Sequence, residues 1–350
     1  MSTVFSDPVF IELAAVIIVV SLFNFTNGFH DTADMVATAI ASRAMTPPVA
    51  IALVSLATFV APFVVGLAVA DTIGTFVNIE SASRQTAEGI VISALLAAIS
   101  YNLFTWSLGY PSSSSNSLAG GLVGAGLFAV GSDNINWGLL ALVQGELTGL
   151  MKVFAGLLFS PLFGFVFGFL IMKIFIRVFS RFRRRINRFF VASQYFSVAW
   201  LGFSHGANDA QKGMAIIGMM LLASGETETF TIPDWAILLN ATALTVGTMF
   251  GGWSIIRTLG FGLYRLRTIH SVANQLGSAL VNSIATAIGA PTSTTQVVTA
   301  TLLGNGAAEK PGHVKWRTAG GIISSWWLNI PVSILLGSLY CYIYLLIWIN

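Results

Sequence analysis

The chain has 350 residues, of which 55% are hydrophobic and only 9% are charged, and its mean hydropathy is +0.80. An average soluble domain carries about 25% charged residues, so fourteen acids and seventeen bases cannot cover a water-exposed surface of this size. The composition excludes a soluble enzyme, a disordered protein and a nucleic-acid binder, even though the isoelectric point is about 9.1. It predicts an integral membrane protein.

The apolar segments are long and continuous, as in IELAAVIIVVSLF near the start of the chain. Such runs favour helices over barrel strands, which alternate in polarity. A spanning helix needs roughly 20 apolar residues, so the length accommodates about ten to twelve helices, with broken or re-entrant ones among them. The single cysteine, Cys341, excludes internal disulfides. We therefore expect an all-α integral membrane fold.

The basic residues predict the orientation in the membrane. Seven of the seventeen bases lie between residues 173 and 188, and smaller basic loops lie at 257–267 and 310–317. Basic loops stay cytoplasmic. Counting crossings outward from these loops puts both termini on the extracellular or periplasmic side of a plasma (inner) membrane protein. The first half would then start outside and the second half inside.

Two pairs of polar blocks recur in the same order along the chain. The block FTNGFHDTAD at 25–34 aligns with FSHGANDAQK at 203–212, at an offset of 178 residues. The block GYPSSSSN at 109–116 aligns with GAPTSTTQ at 289–296, at an offset of 180. Two matches at nearly the same offset indicate a duplication.

The duplication and the orientation together predict an inverted repeat. The first repeat would span residues 1–176, a basic cytoplasmic linker 177–189, and the second repeat 190–350. Inverted repeats with polar interruptions are typical of secondary transporters.

Ionisable side chains interrupt apolar sequence in the first pair of blocks. A carboxylate in the middle of a bilayer costs at least roughly 2.5–3.5 kcal/mol, so Asp31 and Asp209 indicate function. Gly28 and Gly206 allow the backbone either to break there or to pass closely by a neighbour, and a broken helix would expose free backbone carbonyls. Carbonyl, Asp and Asn oxygens suit Na⁺, whereas an Asp alone suits a proton.

The second pair of blocks suits an anion. Pro111 and Pro291 are expected in the first turn of a new helix, with hydroxyl side chains at its N-cap. A helix N-terminus binds oxyanions readily, and Ser and Thr donate hydrogen bonds without adding a fixed charge. These features fit an anion that is bound and then released.

At these four blocks the chain resembles the inorganic phosphate transporter (PiT) family of cation–phosphate symporters. The resemblance implies that Asp31 and Asp209, with Asn27 and Asn208, line the coupling-cation sites, and that the two aspartates bind Na⁺ in a sodium-coupled member. It assigns phosphate to six hydroxyl residues: Ser113, Ser114, Ser115, Ser293, Thr294 and Thr295. It also implies a homodimer surrounded by lipid, with Na⁺ or H⁺ as coupling ion and no cofactor.

The chain departs from the family pattern at three positions. Asn116 and Gln296 stand where the family often has His, and Asp34 stands where it often has Asn. These changes leave room for a related oxyanion such as sulfate. Six residues are accessory candidates: Asp34, His30, His205, Lys212, Asn116 and Gln296.

Three other functions compete with phosphate symport. A sulfate transporter would use the same fold. A channel or receptor would need a continuous polar stripe, whereas the polar residues here cluster in four blocks. A membrane-embedded enzyme would need a nucleophile–base pair or a metal cluster, and four scattered histidines give neither clearly. The sequence also contains no G-x-x-x-x-G-K-[ST] motif for ATP.

Overall fold

The structure, a computed structural model, describes residues 8–79, 82–182 and 186–348, with side chains from residue 12 onward. Regular structure in these ranges is helical, apart from one antiparallel bridge between Val77 and Ile135. The α-helices are α1 Pro8–Ala41, α2 Pro47–Val64, α3 Ala68–Gly74, α4 Arg84–Ser107, α5 Ser114–Ala129, α6 Leu139–Val143, α7 Gly149–Phe179, α8 Ile186–Ala223, α9 Asp234–Phe250, α10 Trp253–Gly262, α11 Thr268–Ala287, α12 Thr294–Glu309 and α13 Trp316–Trp348.

Five of the described helices, α1, α2, α4, α7 and α13, are long and apolar enough to cross a membrane. The pair α9 and α10 is long and apolar enough only when its two helices are taken together, and it is bent by 64° where Gly251 and Gly252 separate them. Large apolar side chains such as Leu162 and Leu335 stay exposed on α7 and α13. Surfaces of this kind require lipid rather than water, so the prediction of a multi-pass, all-α membrane protein is confirmed.

Two helical hairpins enter the molecule and meet at their tips. Hairpin 1 consists of α4 and α5, and hairpin 2 of α11 and α12. Helices α5 and α12 have 16 residues each, or about 24 Å, which is shorter than the hydrocarbon layer of about 30 Å. Ser115 Oγ at one tip donates a hydrogen bond to the Thr292 carbonyl oxygen at the other, over 2.5 Å. Both hairpins therefore turn back inside the protein, as re-entrant hairpins do.

Helices α1 and α8 are continuous, with 34 and 38 residues, so of the two roles expected for Gly28 and Gly206 the helix break does not occur. The glycines serve close packing instead. A Cβ atom on Gly28 would lie 2.0 Å from the Leu244 carbonyl oxygen of α9, and one on Gly206 would lie 2.3 Å from the Thr58 carbonyl oxygen of α2. Each glycine lets the backbone of a neighbouring helix approach its polar block.

The two halves of the chain exchange helices. Hairpin 1 packs against α13 from the second half, and hairpin 2 packs against α7 from the first half. Gly124 of α5 lies against the Ile334 carbonyl of α13, and Gly304 of α12 lies against the Phe165 carbonyl of α7. The two glycines occupy equivalent positions, since they are separated by the repeat offset of 180 residues. The predicted linker 177–189 overlaps the end of α7 and the start of α8, and its residues 183–185 are outside the described ranges.

The polar middle of α1 lies between two apolar cores. One core includes Val16, Val20 and Phe23, and the other includes Met35 and Val36. These residues flank the polar block 25–34. The packing therefore holds this block in a fixed position at the centre of the protein.

Candidate functional site

The middle parts of α1 and α8 bring their ionisable side chains into one buried cluster. Metal-ligating atoms of His30, Asp31 and Asp34 lie within 4.8 Å of one another, and so do those of Asp31, His205 and Asp209. All five side chains are buried. Asp31 belongs to both groups, so the sites predicted separately at Asp31 and Asp209 form one continuous centre.

Hydrogen bonds connect the α1 carboxylates to hairpin 2. Thr295 Oγ1 lies 3.1 Å from Asp31 Oδ1 and 2.6 Å from Asp34 Oδ2, within reach of both acceptors. His30 Nδ1 lies 2.9 Å from Asp31 Oδ1. Any change in the charge or ligation of these carboxylates is thus transmitted directly to the first turn of α12.

Asp209 on α8 has a buried ammonium partner. Lys212 Nζ lies 2.5 Å from Asp209 Oδ2, and Asn27 Nδ2 donates to the same oxygen over 3.0 Å. The Lys212 side chain is fully buried. Because a buried charge is costly unless it is paired, the contact with Asp209 gives the Lys212 ammonium the partner that its burial requires.

The cluster carries excess negative charge and free oxygen atoms. Three carboxylates face one ammonium, so with neutral histidines the formal charge is −3 + 1 = −2. Among the described residues, Asn27 Oδ1, Asp34 Oδ1 and Asp209 Oδ1 are buried without a hydrogen-bond partner. Buried polar atoms are rarely left unpaired. Unpaired oxygens in a negative environment are suited to cations.

The hydroxyl blocks form the tips of the two hairpins. Ser113 is the N-cap of α5 and accepts a hydrogen bond from the Asn116 backbone N–H; Ser293 is the N-cap of α12 and does the same for Gln296. The N-terminal ends of both helices, with their partial positive charge, therefore meet where Ser115 contacts Thr292.

Pro111 and Pro291 each lie two residues before the N-cap, not in the first helical turn. The prediction of their position was wrong by about one turn. Ser113 and Ser293 have extended backbone conformations and begin the helices themselves. The prolines belong to the non-helical turns between the two arms of each hairpin.

The residue before each buried aspartate holds the adjacent hairpin tip. The Ser112 backbone N–H donates to His30 Nε2 over 3.4 Å, and the Thr292 backbone N–H donates to Asn208 Oδ1 over 3.1 Å. Nε2 of His30 is therefore an acceptor, which leaves Nδ1 to donate its proton to Asp31. The Asn208 amide group is fully engaged in hydrogen bonds to hairpin 2. Of the two predicted asparagine ligands, only Asn27 therefore keeps an unpaired oxygen.

Comparison with known proteins identifies the family. A sequence profile described as the phosphate transporter family (PHO4) matches residues 27–337. The chain belongs to the phosphate transporter family. Its relatives include a probable low-affinity inorganic phosphate transporter from Rhizobium meliloti (strain 1021), 35% identical over 347 residues and covering 98% of both chains. A protein of the same description from Bacillus subtilis (strain 168) is 34% identical over 335 residues, covering 95% of this chain and 97% of its own.

A solved structure has the same fold. The protein is described as the sodium-dependent phosphate transporter, with a TM-score of 0.84, 23% sequence identity, and coverage of 96% of this chain and 99% of that chain. The family and these relatives are transporters and not enzymes, as expected from the sequence. Their descriptions specify phosphate and give no support to the sulfate alternative.

The predicted phosphate ligands of this family member have different surroundings. Ser113 and Ser293 cap helices, while Thr295 contacts the carboxylates. Thr294 Oγ1 lies 3.3 Å from His205 Nδ1. Ser114 is also buried. The structure thus brings all six predicted hydroxyl residues to the two tips.

Several accessory candidates border the same region. Ser115, Lys212 and Pro291 line a small cavity, which places the ammonium beside both hairpin tips. Asn116 and Gln296 are buried one turn inside α5 and α12, and Asn116 Oδ1 has no hydrogen-bond partner among the described residues. These side chains add hydrogen-bonding capacity without charge.

Two further residues hold the tips and were missed by the sequence analysis. Asn102 Oδ1 on α4 accepts a hydrogen bond from Ser117 Oγ over 3.1 Å, and Asn282 Oδ1 on α11 accepts one from Thr292 Oγ1 over 3.3 Å. Both asparagines are buried. They are separated by 180 residues, so extending the repeat alignment into the preceding helices would have found them.

Proposed function

We propose that the protein is a Na⁺-coupled symporter that carries inorganic phosphate across the plasma membrane by alternating access. The observation that carries the proposal is the meeting of two helix N-termini beside a buried centre with formal charge −2. The first element suits an oxyanion. The second suits cations, so one site has the chemistry for both transported species.

Phosphate would bind between the hairpin tips. Hydroxyl and backbone N–H groups of the first turns of α5 and α12 would donate to its oxygens: Ser113, Ser114, Ser115, Ser293, Thr294 and Thr295 are the residues concerned. Lys212, beside the same cavity, would supply positive charge. Neutral donors bind a phosphate oxygen without the strong retention of several fixed charges, which favours release on the other side.

Cations would remove the electrostatic barrier to phosphate. An anion brought to a centre of charge −2 is repelled strongly at low dielectric constant. Na⁺ bound by Asp31, Asp209 and the free Asn27 oxygen would neutralise the centre, with Asp34 as an added ligand. Thr295 and His30 connect these carboxylates to both hairpins. Cation binding would thereby position the phosphate ligands.

The repeat supplies a basis for alternating access. We propose that residues 1–176 and 190–350 form inverted repeats, with the basic linker 177–189 in the cytoplasm and both termini outside. Equivalent contacts support this: each hairpin packs on a long helix from the other half, and α1 and α8 pack on α9 and α2. Two similar hairpins entering from opposite sides could each open one face of the central site.

Uptake of radiolabelled phosphate into proteoliposomes tests the proposal. The purified protein would be assayed with an inward Na⁺ gradient, with a pH gradient and with neither, and with excess unlabelled sulfate. We expect uptake driven by Na⁺ and unaffected by sulfate. Uptake driven only by the pH gradient would contradict Na⁺ coupling, and sulfate transport without phosphate transport would overturn the assignment of substrate.

A further inference from the structure

The two hairpins differ in polarity beyond their tips. Hairpin 2 has buried polar residues along both of its arms, among them Ser271, Asn274, Gln275, Ser278, Thr299 and Asn305. The positions 180 residues earlier in hairpin 1 are buried and apolar: Val91, Ala94, Leu95, Ala98, Ala119 and Ala125. At these six positions hairpin 2 is polar and hairpin 1 is apolar, although hairpin 1 buries Glu88 and Ser93 elsewhere on α4.

The polar side chains of hairpin 2 begin at the central site. Thr299 lies one helical turn beyond Thr295, which contacts Asp34, and Thr38 lies one turn beyond Asp34 on α1. Thr38 Oγ1 accepts a hydrogen bond from Ser271 Oγ over 3.0 Å. The residue equivalent to Thr38 on α8, at the offset of 178, is the buried Ile216. Helix α1 is thus polar at a position where the equivalent position of α8 is apolar, as hairpin 2 is relative to hairpin 1.

Several of these polar atoms have no partner. Asn274 Oδ1, Ser278 Oγ, Thr299 Oγ1 and Asn305 Oδ1 are fully buried and lack a hydrogen-bond partner among the described residues. A buried polar group that has no hydrogen-bond partner destabilises the folded protein. Hairpin 1 shows that the same fold accepts apolar residues at the equivalent positions. The cost is explained if these atoms contact water or ions in another conformation.

The polar side chains end at the basic surface. Asn305 Nδ2 donates to the His270 carbonyl oxygen over 3.2 Å, and His270 Nε2 lies 2.7 Å from Glu309 Oε2. Glu309 also pairs with Arg267, whose side chain is 58% exposed. This end of hairpin 2 adjoins the basic loops 257–267 and 310–317, which the charge distribution assigns to the cytoplasm.

We propose that hairpin 2 and the adjoining part of α1 line the aqueous route by which the transported ions pass between the central site and the cytoplasm. The inference rests on the proposed function and adds the path to it. Neutral hydroxyl and amide groups stabilise a hydrated ion moderately, so that it can enter and also leave. The route is closed in this conformation, where the side chains are buried.

Single cysteines test the route. In a Cys341→Ala parent, Thr299→Cys and Ser278→Cys would be compared with Ala119→Cys and Ala98→Cys at the matched positions of hairpin 1. A charged, membrane-impermeant methanethiosulfonate reagent would be added to either side of vesicles with Na⁺ and phosphate present. We expect the hairpin 2 cysteines to react from the cytoplasmic side at least tenfold faster than their controls. Equal rates, or reaction only from the outside, would overturn the route.

Phosphate uptake in the same vesicles separates the two proposals. Normal uptake without faster labelling of hairpin 2 would exclude the route but leave phosphate symport intact, whereas a folded parent without uptake would contradict the proposed function. Ser278→Ala and Thr299→Ala provide a second measurement, because they introduce the residues that hairpin 1 already has. We expect the double variant to transport about tenfold more slowly while it binds phosphate normally. An unchanged rate would contradict the route.

Discussion

Asp31 is the residue at which the parts of the site converge. It belongs to both groups of metal-ligating side chains, and it contacts His30 and Thr295. His30 in turn accepts a hydrogen bond from hairpin 1, and Thr295 begins hairpin 2. One carboxylate is therefore connected to both hairpins, which is the connection that the proposed coupling of cation and phosphate would require.

Replacing Thr295 with Val should weaken cation binding. Val has the shape of Thr but no hydroxyl, so Asp31 and Asp34 would lose the single donor that lies within reach of both carboxylates. Hydrogen bonds to charged groups contribute about 1.5–3 kcal/mol, and we expect the half-saturating Na⁺ concentration for phosphate uptake to rise about tenfold or more. Thr301→Val is the control, because Thr301 is buried on the same helix and bonds the Val297 carbonyl of that helix. Equal effects of both substitutions would contradict the assignment.

The sequence could indicate which charged residues form the site but not how each is used. Asp31 and Asp209 stand out because carboxylates are costly within apolar sequence. The contact of Lys212 with Asp209 depends on rotamers, and the use of Asn208 to hold hairpin 2 depends on which helix lies opposite. Neither contact can be deduced from a single amino-acid sequence. Asn102 and Asn282 were missed because single asparagines in apolar helices resemble packing residues.

At the scale of helices, close packing explains features that resemble breaks in the sequence. Gly28 and Gly206 fall beside polar residues, as glycines at a broken helix would. Both helices nevertheless continue, because the missing side chains admit the backbones of α9 and α2. A sequence pattern cannot separate a glycine that bends a chain from one that accommodates a neighbour. The start of a new helix after Pro111 and after Pro291 was more predictable, because hydroxyl residues suited to an N-cap follow each proline.

Gly28→Ala and Gly206→Ala should therefore destabilise the protein. The added methyl group would collide with a backbone carbonyl oxygen, which cannot rotate away as a side chain could. Overpacking costs about 1–3 kcal/mol, and we expect each variant to unfold at a lower temperature in detergent. Gly320→Ala is the control, because a Cβ atom there meets no atom within 4 Å. If Gly28→Ala and Gly206→Ala both unfolded at the same temperature as the wild-type protein, the packing role would be contradicted.

At the scale of the whole molecule, the two halves are repeats in sequence but do not pack as separate bodies. Hairpin 1 lies against α13, and hairpin 2 lies against α7. The repeat offset shows which residues are equivalent, but it does not show whether a helix packs within its own half or against the other half. This exchange of helices could not be predicted from the sequence.

The exchange predicts how a split transporter should behave. A chain divided between residues 182 and 183 yields two fragments that each lack the helix on which their own hairpin packs. We expect neither fragment alone to give stable protein or phosphate uptake in cells, and co-expression of both to restore uptake. The comparison is made at matched expression with the intact chain. Stable, monodisperse protein from one fragment alone would contradict the interdependence of the halves.

The most direct test of the central claim is cation-driven phosphate uptake by Asp31→Asn beside Asp133→Asn. Both substitutions remove one carboxylate charge, but Asp133 is exposed in a loop whereas Asp31 is buried in the site. Folding of both variants would be checked by their elution and melting in detergent. We predict that Asp31→Asn abolishes Na⁺-driven uptake and that Asp133→Asn retains it. Normal Na⁺-driven uptake by a folded Asp31→Asn protein would contradict coupling through this cluster.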